Sequence, residues 1–277
     1  REELMTRSEI LTIARLFVDT YGVTKIRLTG GEPLVRPDVV EIVRDLVQLG
    51  VSLGLTTNAM TLHKHLDGLV DAGLKSLNIS LDTFDAQRFK TITRRDGFDK
   101  VYANILQALD RDLRVKVNMV VMRGVNDDEL LRFVELTREH PLHVRFIEFM
   151  PFAGNHWGRE RVYTYAEMLG HIGSVHSFEK LTDDPNSTAK AYRVPGWMGT
   201  FAVISTVTEP FCGSCDRLRI TAEGKMRNCL FSREETDLLS ALRRGEDIAP
   251  LIEANVLAKH AMLGGLPPFK PEMQEEV

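Results

Sequence analysis

The fold is decided by one stretch, Val23-Thr-Lys-Ile-Arg-Leu-Thr-Gly-Gly-Glu-Pro33. Its first residues alternate between apolar and polar side chains, and a period of two predicts a β-strand over 23–29. The adjacent glycines would let a ligand approach the backbone at the carboxyl end of this strand. Pro37 suits the first turn of a helix, which we predict over 37–49. A strand that leads through a glycine turn into a helix is typical of an α/β fold.

The same unit recurs along the first 150 residues. Strands alternating with helices indicate βαβ units and a parallel sheet. Five strands favour a closed or partly closed barrel, and an open doubly wound sheet is the alternative. Further strands are predicted at 51–56, 75–81, 115–122 and 142–149, and further helices at about 8–21, 61–72, 85–110 and 127–139. A break of the helix over 85–110 at Gly97 is left open.

After Pro151 the pattern changes to a loop-rich stretch rich in glycine and proline. A hairpin is predicted over 217–230, with its turn at Glu223-Gly224. Pro267-Pro-Phe-Lys-Pro271 is expected to be an extended surface tail. Short strands are predicted at 191–194 and 201–205, and helices at 235–244 and 247–263.

The composition is ordinary for a soluble globular protein, with 277 residues and a net charge of −4. This charge argues against a nucleic-acid partner, because nucleic-acid-binding domains usually carry a basic excess. No apolar run approaches the roughly 20 residues that cross a bilayer, and no signal peptide is visible. Three cysteines are too few for a disulfide scaffold, so we expect a reducing, cytoplasmic location and no membrane association.

Basic side chains stand where a covered parallel strand should be apolar. The period of two puts each pair on one side of its strand. A barrel lumen with several fixed cations needs anions, because unpaired buried charge is costly. We therefore expect a multiply charged ligand such as a nucleoside triphosphate; internal pairing with Glu32, Asp82 or Glu148, or plain solvent exposure, is the alternative. The pairs are Lys25 with Arg27, Lys116 with Asn118, His143 with Arg145, and Arg217 with Arg219.

All the cysteines of the chain lie close together in sequence, at Cys212, Cys215 and Cys229. Thiolates grouped in this way usually share a metal centre. Zinc would require a fourth ligand or a water molecule, whereas a 4Fe-4S cluster on three thiolates keeps one iron free. Spacing alone does not decide between zinc and iron–sulfur, and buried reduced thiols are the third interpretation.

At these residues the sequence resembles the GTP 3′,8-cyclase family of molybdenum-cofactor biosynthesis, a group of radical S-adenosylmethionine enzymes. The Gly-Gly-Glu-Pro motif is shared by radical S-adenosylmethionine enzymes broadly, and the cysteine motif is specific to the cyclases. The matching stretches are Lys25–Pro33, Thr56-Thr-Asn58, Asn78-Ile-Ser-Leu-Asp82, Lys116-Val-Asn118, Arg145-Phe-Ile-Glu-Phe-Met-Pro151, Phe211–Thr221 and Cys229-Leu-Phe231.

The resemblance implies an α/β fold, an incomplete (β/α)6 TIM-like barrel of the radical S-adenosylmethionine type with a C-terminal iron–sulfur-binding region. Residues 1–150 would form a partial barrel without its first strand and cluster loop. Residues 151–277 would carry a second 4Fe-4S cluster and the substrate site. The implied ligands are Gly31, Ser80 and Met150 for S-adenosylmethionine, Arg27, Thr56, Lys116, Arg217, Leu218 and Arg219 for GTP, and Cys212, Cys215 and Cys229 for the cluster.

The reaction that the resemblance implies is that of a lyase. A 5′-deoxyadenosyl radical abstracts the ribose 3′ hydrogen of GTP, and the carbon radical attacks guanine C8. The product is (8S)-3′,8-cyclo-7,8-dihydroguanosine 5′-triphosphate, which the cyclic pyranopterin monophosphate synthase uses. A homodimer is also a family expectation.

The sequence departs from the family at both ends. The family has an N-terminal Cys-x3-Cys-x2-Cys loop, which holds the cluster that cleaves S-adenosylmethionine, and a C-terminal Gly-Gly tail; neither is present. We expect the sequence to be part of a longer protein. Two alternatives remain, because the N-terminal cluster loop is missing and the sequence does not fix the substrate. The chain would be a non-catalytic nucleotide-binding protein with one cluster, or a radical S-adenosylmethionine enzyme that acts on another substrate, such as a peptide.

Overall fold

The structure is a computed structural model that describes residues 3–111, 113–152 and 154–267. The surface tail predicted at 267–271 therefore lies outside the described residues from position 268 onward. Among the helices that the structure describes, none has the length and apolar character needed to span a bilayer.

The secondary structure alternates strands and helices up to residue 148 and becomes irregular after it. The helices are α1 Arg7–Asp19, α2 Val39–Val47, α3 Leu66–Asp71, α4 Ala86–Thr93, α5 Phe98–Leu109, α6 Leu130–Glu139, α7 Tyr165–Gly173, α8 Leu238–Arg243 and α9 Ala249–Leu257. The strands are β1 Lys25–Leu28, β2 Ser52–Thr57, β3 Ser76–Ser80, β4 Arg114–Val121, β5 His143–Glu148, β6 Glu179–Lys180, β7 Lys190–Arg193, β8 Thr200–Ile204, β9 Arg219–Ile220, β10 Lys225–Arg227 and β11 Thr236–Asp237.

The main sheet has eight strands in the order β1-β2-β3-β4-β5-β8-β7-β6. The first six are parallel, and β7 and β6 continue the sheet antiparallel. Strand β8, from the C-terminal half of the chain, therefore supplies the sixth parallel strand. The parallel sheet confirms the predicted α/β class and the incomplete barrel, and five of its strands lie within the first 150 residues as predicted.

The two faces of this sheet differ in polarity as the strand period requires. One face buries aliphatic and aromatic side chains against the helices, as Ile79, Val117, Val144 and Phe201 show. The other face carries the polar and basic side chains predicted to line the lumen. Burial along β4 alternates strictly, so that Lys116 and Asn118 share this second face.

A second, three-stranded antiparallel sheet is formed by β9, β10 and β11. The turn between β9 and β10 lies at Glu223-Gly224, as predicted, and Gly224 has a φ of +69°. A side chain there would clash with Leu239, because an added Cβ would lie 2.5 Å from its Cβ. The second hydrophobic core, which includes Met226 and Phe17, packs this hairpin against α1.

Three local predictions were wrong. The helix predicted over 247–263 ends at Leu257, and the chain then turns back in a short 3₁₀ turn at Leu263–Gly265. The helix predicted over 61–72 is split into a 3₁₀ turn, Leu62–Lys64, and α3. Helix α7 was not predicted, although its capping box was readable in the sequence, since Thr164 and Glu167 cap each other's backbone amides.

Candidate active site

A layer of polar side chains crosses the sheet on its lumen face. Thr56, Asn78, Lys116, His143 and Thr200 are successive Cα partners on five parallel strands. Asn78 Nδ2 donates to Thr56 Oγ1 at 3.2 Å, and His143 Nδ1 lies 2.7 Å from Thr200 Oγ1. Lys116 stands in the middle of this layer with a neutral polar side chain in register on either side.

The basic residues of the lumen repel one another. Burial, and then Arg145 and Arg27, lower the pKa of Lys116 to about 8. Burial and Arg27 lower the pKa of Arg145 to about 10, and burial with the nearby Arg145 and Lys116 lowers the pKa of His143 to about 3. The lumen therefore holds a surplus of positive charge that an anion would relieve.

The carboxylates proposed as internal partners for these cations bind elsewhere. Glu32 accepts hydrogen bonds from Thr57 Oγ1 and from the backbone N–H of Asn58, both at 2.7 Å. Asp82 Oδ1 accepts one from the N–H of Val120 at 2.8 Å. Within the part of the chain that the structure describes, no salt bridge involves Arg27, Lys116 or Arg145. Internal ion pairing is therefore wrong as the explanation of these three cations. Solvent exposure, the other alternative, holds for Lys25 and Arg27 on β1 but not for the buried Arg145.

Glu148, the third proposed carboxylate, is fully buried at the end of β5. It accepts hydrogen bonds from the backbone N–H groups of Tyr165, Val207 and Thr208, and from the Thr208 hydroxyl. It thereby ties the start of α7 and the loop after β8 to the barrel. That loop leads directly to Cys212.

The hairpin carries two more arginines, of which Arg217 interacts with a lumen cation. Arg217 is near enough to Arg27 to lower its pKa, after the larger effect of burial. Arg217 Nη2 donates to the carbonyl of Asn186 at 2.7 Å, which fixes its guanidinium. Arg219 begins β9, and burial lowers its pKa, an effect that Cys229 and Cys215 oppose. Leu218 lies between the two arginines, and its side chain packs against the second core.

The three cysteines are free and half-buried. Burial raises the pKa of Cys215, but the Arg217 backbone N–H together with Lys259 and the Arg217 guanidinium lowers it below its ordinary value. Cys212 Sγ accepts a hydrogen bond from the backbone N–H of Leu263 at 3.3 Å. The surroundings of Cys215 therefore favour its thiolate, the form of cysteine that binds metal.

The donor set fits an iron–sulfur cluster better than a single ion. Among residues 3–111, 113–152 and 154–267, no three Cys, His, Asp or Glu side chains are grouped so that they could hold one metal ion. A zinc ion would draw its sulfurs together, since each Zn–S bond is about 2.3 Å long. A 4Fe-4S cluster instead binds each thiolate through a different iron, and its ligands are normally thiolates.

The residues predicted to hold S-adenosylmethionine lie at the carboxyl ends of three parallel strands. Gly31 follows β1 and has open space where a side chain would be, and Ser80 is the exposed last residue of β3. Met150 follows β5, and its carbonyl accepts a hydrogen bond from Asn155 Nδ2 at 2.8 Å. Thr56 lies near the end of β2, within the lumen layer.

Comparison with known proteins shows the family of this chain. The Radical SAM superfamily matches residues 1–137, and the Molybdenum Cofactor Synthesis C family matches residues 142–262. GTP 3′,8-cyclase from Moorella thermoacetica is 42% identical over 99% of this chain and 84% of its own length. The chain belongs to the GTP 3′,8-cyclase family. Its predicted cofactors, a 4Fe-4S cluster and S-adenosylmethionine, agree with the superfamily match.

Other relatives in the GTP 3′,8-cyclase family are longer than this chain. The mitochondrial GTP 3′,8-cyclase of Arabidopsis thaliana is 45% identical over 96% of this chain and 70% of its own length. Molybdenum cofactor biosynthesis protein 1 of Bos taurus is 49% identical over 96% of this chain. The chain spans 43% of the length of the bovine protein.

A solved structure supports the fold assignment of the family. Streptococcus suis SuiB bound to S-adenosylmethionine is 15% identical and superposes with a TM-score of 0.61. The match covers 86% of this chain and 58% of the SuiB chain. At this identity the likeness concerns the fold alone.

Several residues of the site were not singled out from the sequence. Lys259 Nζ donates to the carbonyl of Cys215 at 2.7 Å, and Leu263 donates to Cys212. Both fell within a predicted helix. The adjacent Gly264-Gly265 could have indicated that this helix stops early.

Proposed function

We propose that this chain is a radical S-adenosylmethionine GTP 3′,8-cyclase, which converts GTP to (8S)-3′,8-cyclo-7,8-dihydroguanosine 5′-triphosphate. One observation carries the proposal. Arg217 Nη1 lies 3.9 Å from Cys215 Sγ, and Arg217 lowers the pKa of Arg27 of the barrel after the larger effect of burial, which supports a border between the cysteine site and the cationic lumen. A ligand held there would contact both regions at once.

The charge of the lumen supports a triphosphate as the bound group. Arg27, Lys116 and Arg145 come from three strands, and none of them forms a salt bridge within the described residues. A triphosphate carries several negative charges and accepts hydrogen bonds from guanidinium and ammonium groups. Such contacts would fix the nucleotide and hold its ribose in one place, which is a positioning contribution to the reaction.

The hairpin is proposed to bind the base end of GTP. Cys229 and Cys215 oppose the lowering of the Arg219 pKa by burial, which supports a place for the Arg219 guanidinium beside a group held by these cysteines. Cys212, Cys215 and Cys229 would hold a 4Fe-4S cluster that leaves one coordination position for a substrate atom. Arg217, Leu218 and Arg219 would then border that position.

Gly31, Ser80 and Met150 are proposed to hold S-adenosylmethionine. Bound beside a reducing 4Fe-4S cluster, this cofactor supplies a radical that can remove a hydrogen atom from a sugar. The open surface at Gly31 would let the ligand lie against the backbone. Glu32 keeps this turn in place through its bonds to Thr57 and Asn58.

We further propose that the chain divides into a barrel part, 1–150, and a C-terminal part, 151–277. We also propose that the protein forms a homodimer. Its product would be used by the cyclic pyranopterin monophosphate synthase. One relative is named as mitochondrial, so the cytoplasmic location expected from the sequence stays a prediction. Light scattering of the purified protein would test the dimer.

The reaction is tested with the full-length protein, reconstituted with iron and sulfide under reducing anaerobic conditions. Incubation with GTP and S-adenosylmethionine should give the cyclised nucleotide and 5′-deoxyadenosine in equal amounts. The matched control replaces GTP by a peptide mixture, because the alternative is a radical enzyme with another substrate. Absence of both products from GTP would overturn the proposed function.

A further inference from the structure

The segment that follows α9 reaches two of the three cysteines. We call Lys259–Gly265 the closing segment. Lys259 Nζ donates to the carbonyl of Cys215 at 2.7 Å, and the backbone N–H of Leu263 donates to Cys212 Sγ at 3.3 Å. These contacts join residues 44 and 51 positions apart in the chain. The closing segment is therefore a wall of the cysteine site, although it contains no cysteine.

The closing segment also packs against the arm of the hairpin that carries Cys229. Gly264 has a φ of +62°, and a Cβ added there would lie 2.9 Å from the backbone nitrogen of Ser232 and 3.0 Å from the carbonyl carbon of Phe231. The backbone at Gly264 thus touches residues just beyond Cys229. The closing segment therefore contacts Cys215, Cys212 and the residues that follow Cys229.

The closing segment contains a backbone conformation that its residue type disfavours. Leu263 has a φ of +47°, a region that leucine rarely adopts. Such a conformation persists only where the surrounding structure supports it, and here the Leu263 side chain is buried. This backbone geometry accompanies an N–H group that points at a sulfur atom.

We propose that the closing segment is a positioning element for the cluster on the three cysteines, and that it raises the reduction potential of the cluster and slows its loss. The physical reason is electrostatic. Lys259 places a positive charge beside the thiolates, and the Leu263 N–H withdraws charge from Cys212 Sγ. Hydrogen bonds to sulfur and nearby charge are among the factors that set cluster potentials. The inference rests on the proposed cluster and is independent of the GTP reaction.

The first test replaces the lysine in the 277-residue chain, in which any reconstituted cluster must use these three cysteines. Lys259→Met keeps the aliphatic stem and removes the charge and the donor. We expect a lower potential in a redox titration followed by electron paramagnetic resonance, and about tenfold faster release of iron to a chelator. Lys259→Arg should restore both values. Lys64→Met, at an exposed lysine outside the site, should change neither.

The second test moves the backbone of the turn. Gly264→Ala introduces a Cβ that clashes with Ser232, so the Leu263 N–H should leave Cys212 and iron release should accelerate. Gly124→Ala is the matched control, because Gly124 has a similar φ of +69° and no atom within 4 Å of an added Cβ. Thermal unfolding of each apo variant separates a loss of folding from a change at the cluster.

The outcomes distinguish this inference from the proposed function. An unchanged potential in Lys259→Met, with normal iron content, would overturn the role of Lys259. Iron release equal in Gly264→Ala and Gly124→Ala would overturn the role of the turn. A chain that takes up no iron at all would overturn the closing-segment proposal together with the cluster. Failure to convert GTP in the full-length protein, with the potential shift present, would leave the closing segment supported and overturn only the cyclase proposal.

Discussion

Arg145 Nε donates a hydrogen bond to Asn118 Oδ1 at 2.8 Å, between neighbouring strands of the barrel. The acceptor is a neutral amide, although Arg145 is buried. The bond fixes the guanidinium without cancelling its charge. An arginine held in this way keeps its attraction for an anionic ligand.

Replacing that amide by a carboxylate should weaken nucleotide binding. Asn118→Asp would pair with Arg145 and relieve its repulsion with Arg27, so the ligand-free protein should unfold at a higher temperature. GTP affinity should fall by about tenfold, or about 1.4 kcal/mol, because part of the cationic charge is then neutralised. Calorimetric titration with GTP measures the change. Tighter binding in Asn118→Asp would contradict the proposed role of the lumen.

The two hairpin arginines provide a second prediction. Arg217→Ala and Arg219→Ala should each weaken GTP binding by on the order of 1.5–3 kcal/mol, the cost of losing a charge-assisted contact. Arg227→Ala is the matched control, since Arg227 lies on the same hairpin but pairs with Glu235. Equal GTP affinity in all three variants and the unmutated protein would count against the site and favour another substrate.

GTP binding should depend on pH through Lys116. Its pKa of about 8 in the ligand-free protein lies below the usual lysine value, and a bound polyanion would raise it again. Lys116 is therefore charged below about pH 8, and affinity should fall as the pH rises above it. Binding should take up protons over the same range, which calorimetry in buffers of different ionisation enthalpy detects.

Lys116→Met tests this assignment. The variant should bind GTP more weakly at pH 7 and should lose the decline above about pH 8. His143 should not contribute to the profile, because its pKa of about 3 keeps it neutral throughout. A decline that persists unchanged in Lys116→Met would assign the titration to another group.

The glycine turn depends on Glu32. Its carboxylate accepts hydrogen bonds from Thr57, Asn58 and Leu34, and thereby joins the turn after β1 to the end of β2. Glu32→Ala should leave these donors without their acceptor and cost on the order of 1–3 kcal/mol of unfolding free energy. S-adenosylmethionine binding, measured by equilibrium dialysis, should weaken as well.

The control for Glu32→Ala is Glu139→Ala, at an exposed glutamate at the end of α6. It should change the free energy of unfolding by less than about 0.5 kcal/mol. Normal S-adenosylmethionine affinity in Glu32→Ala would show that the turn keeps its shape without the carboxylate.

The barrel was predictable because its determinants are local. The period of two along β1 and β4 shows which side chains share a face. Gly97 lies between α4 and α5, at the break considered from the sequence. The pairing of β8 with β5 could not be read from the sequence. It depends on contacts between residues more than 50 positions apart.

The same reason explains what was missed at the site. The three cysteines form a local pattern, whereas Lys259 and Leu263 reach them only after the chain has passed through two helices. A single helix was predicted over 247–263, whereas the turn at Leu263–Gly265 forms where the segment packs against Cys212 and Ser232. Tertiary packing overrode the local preference.

The place of β8 in the sheet bears on how this protein can be divided. A chain cut after residue 150 would keep β5 but lose its neighbour, and β5 would become an open edge strand. Unpaired edges of this kind act as templates for aggregation. The barrel part therefore needs β8 of the C-terminal part to cover the edge of its sheet. A truncated barrel should precipitate on expression, and co-expression of 151–277 should rescue it by restoring the missing strand.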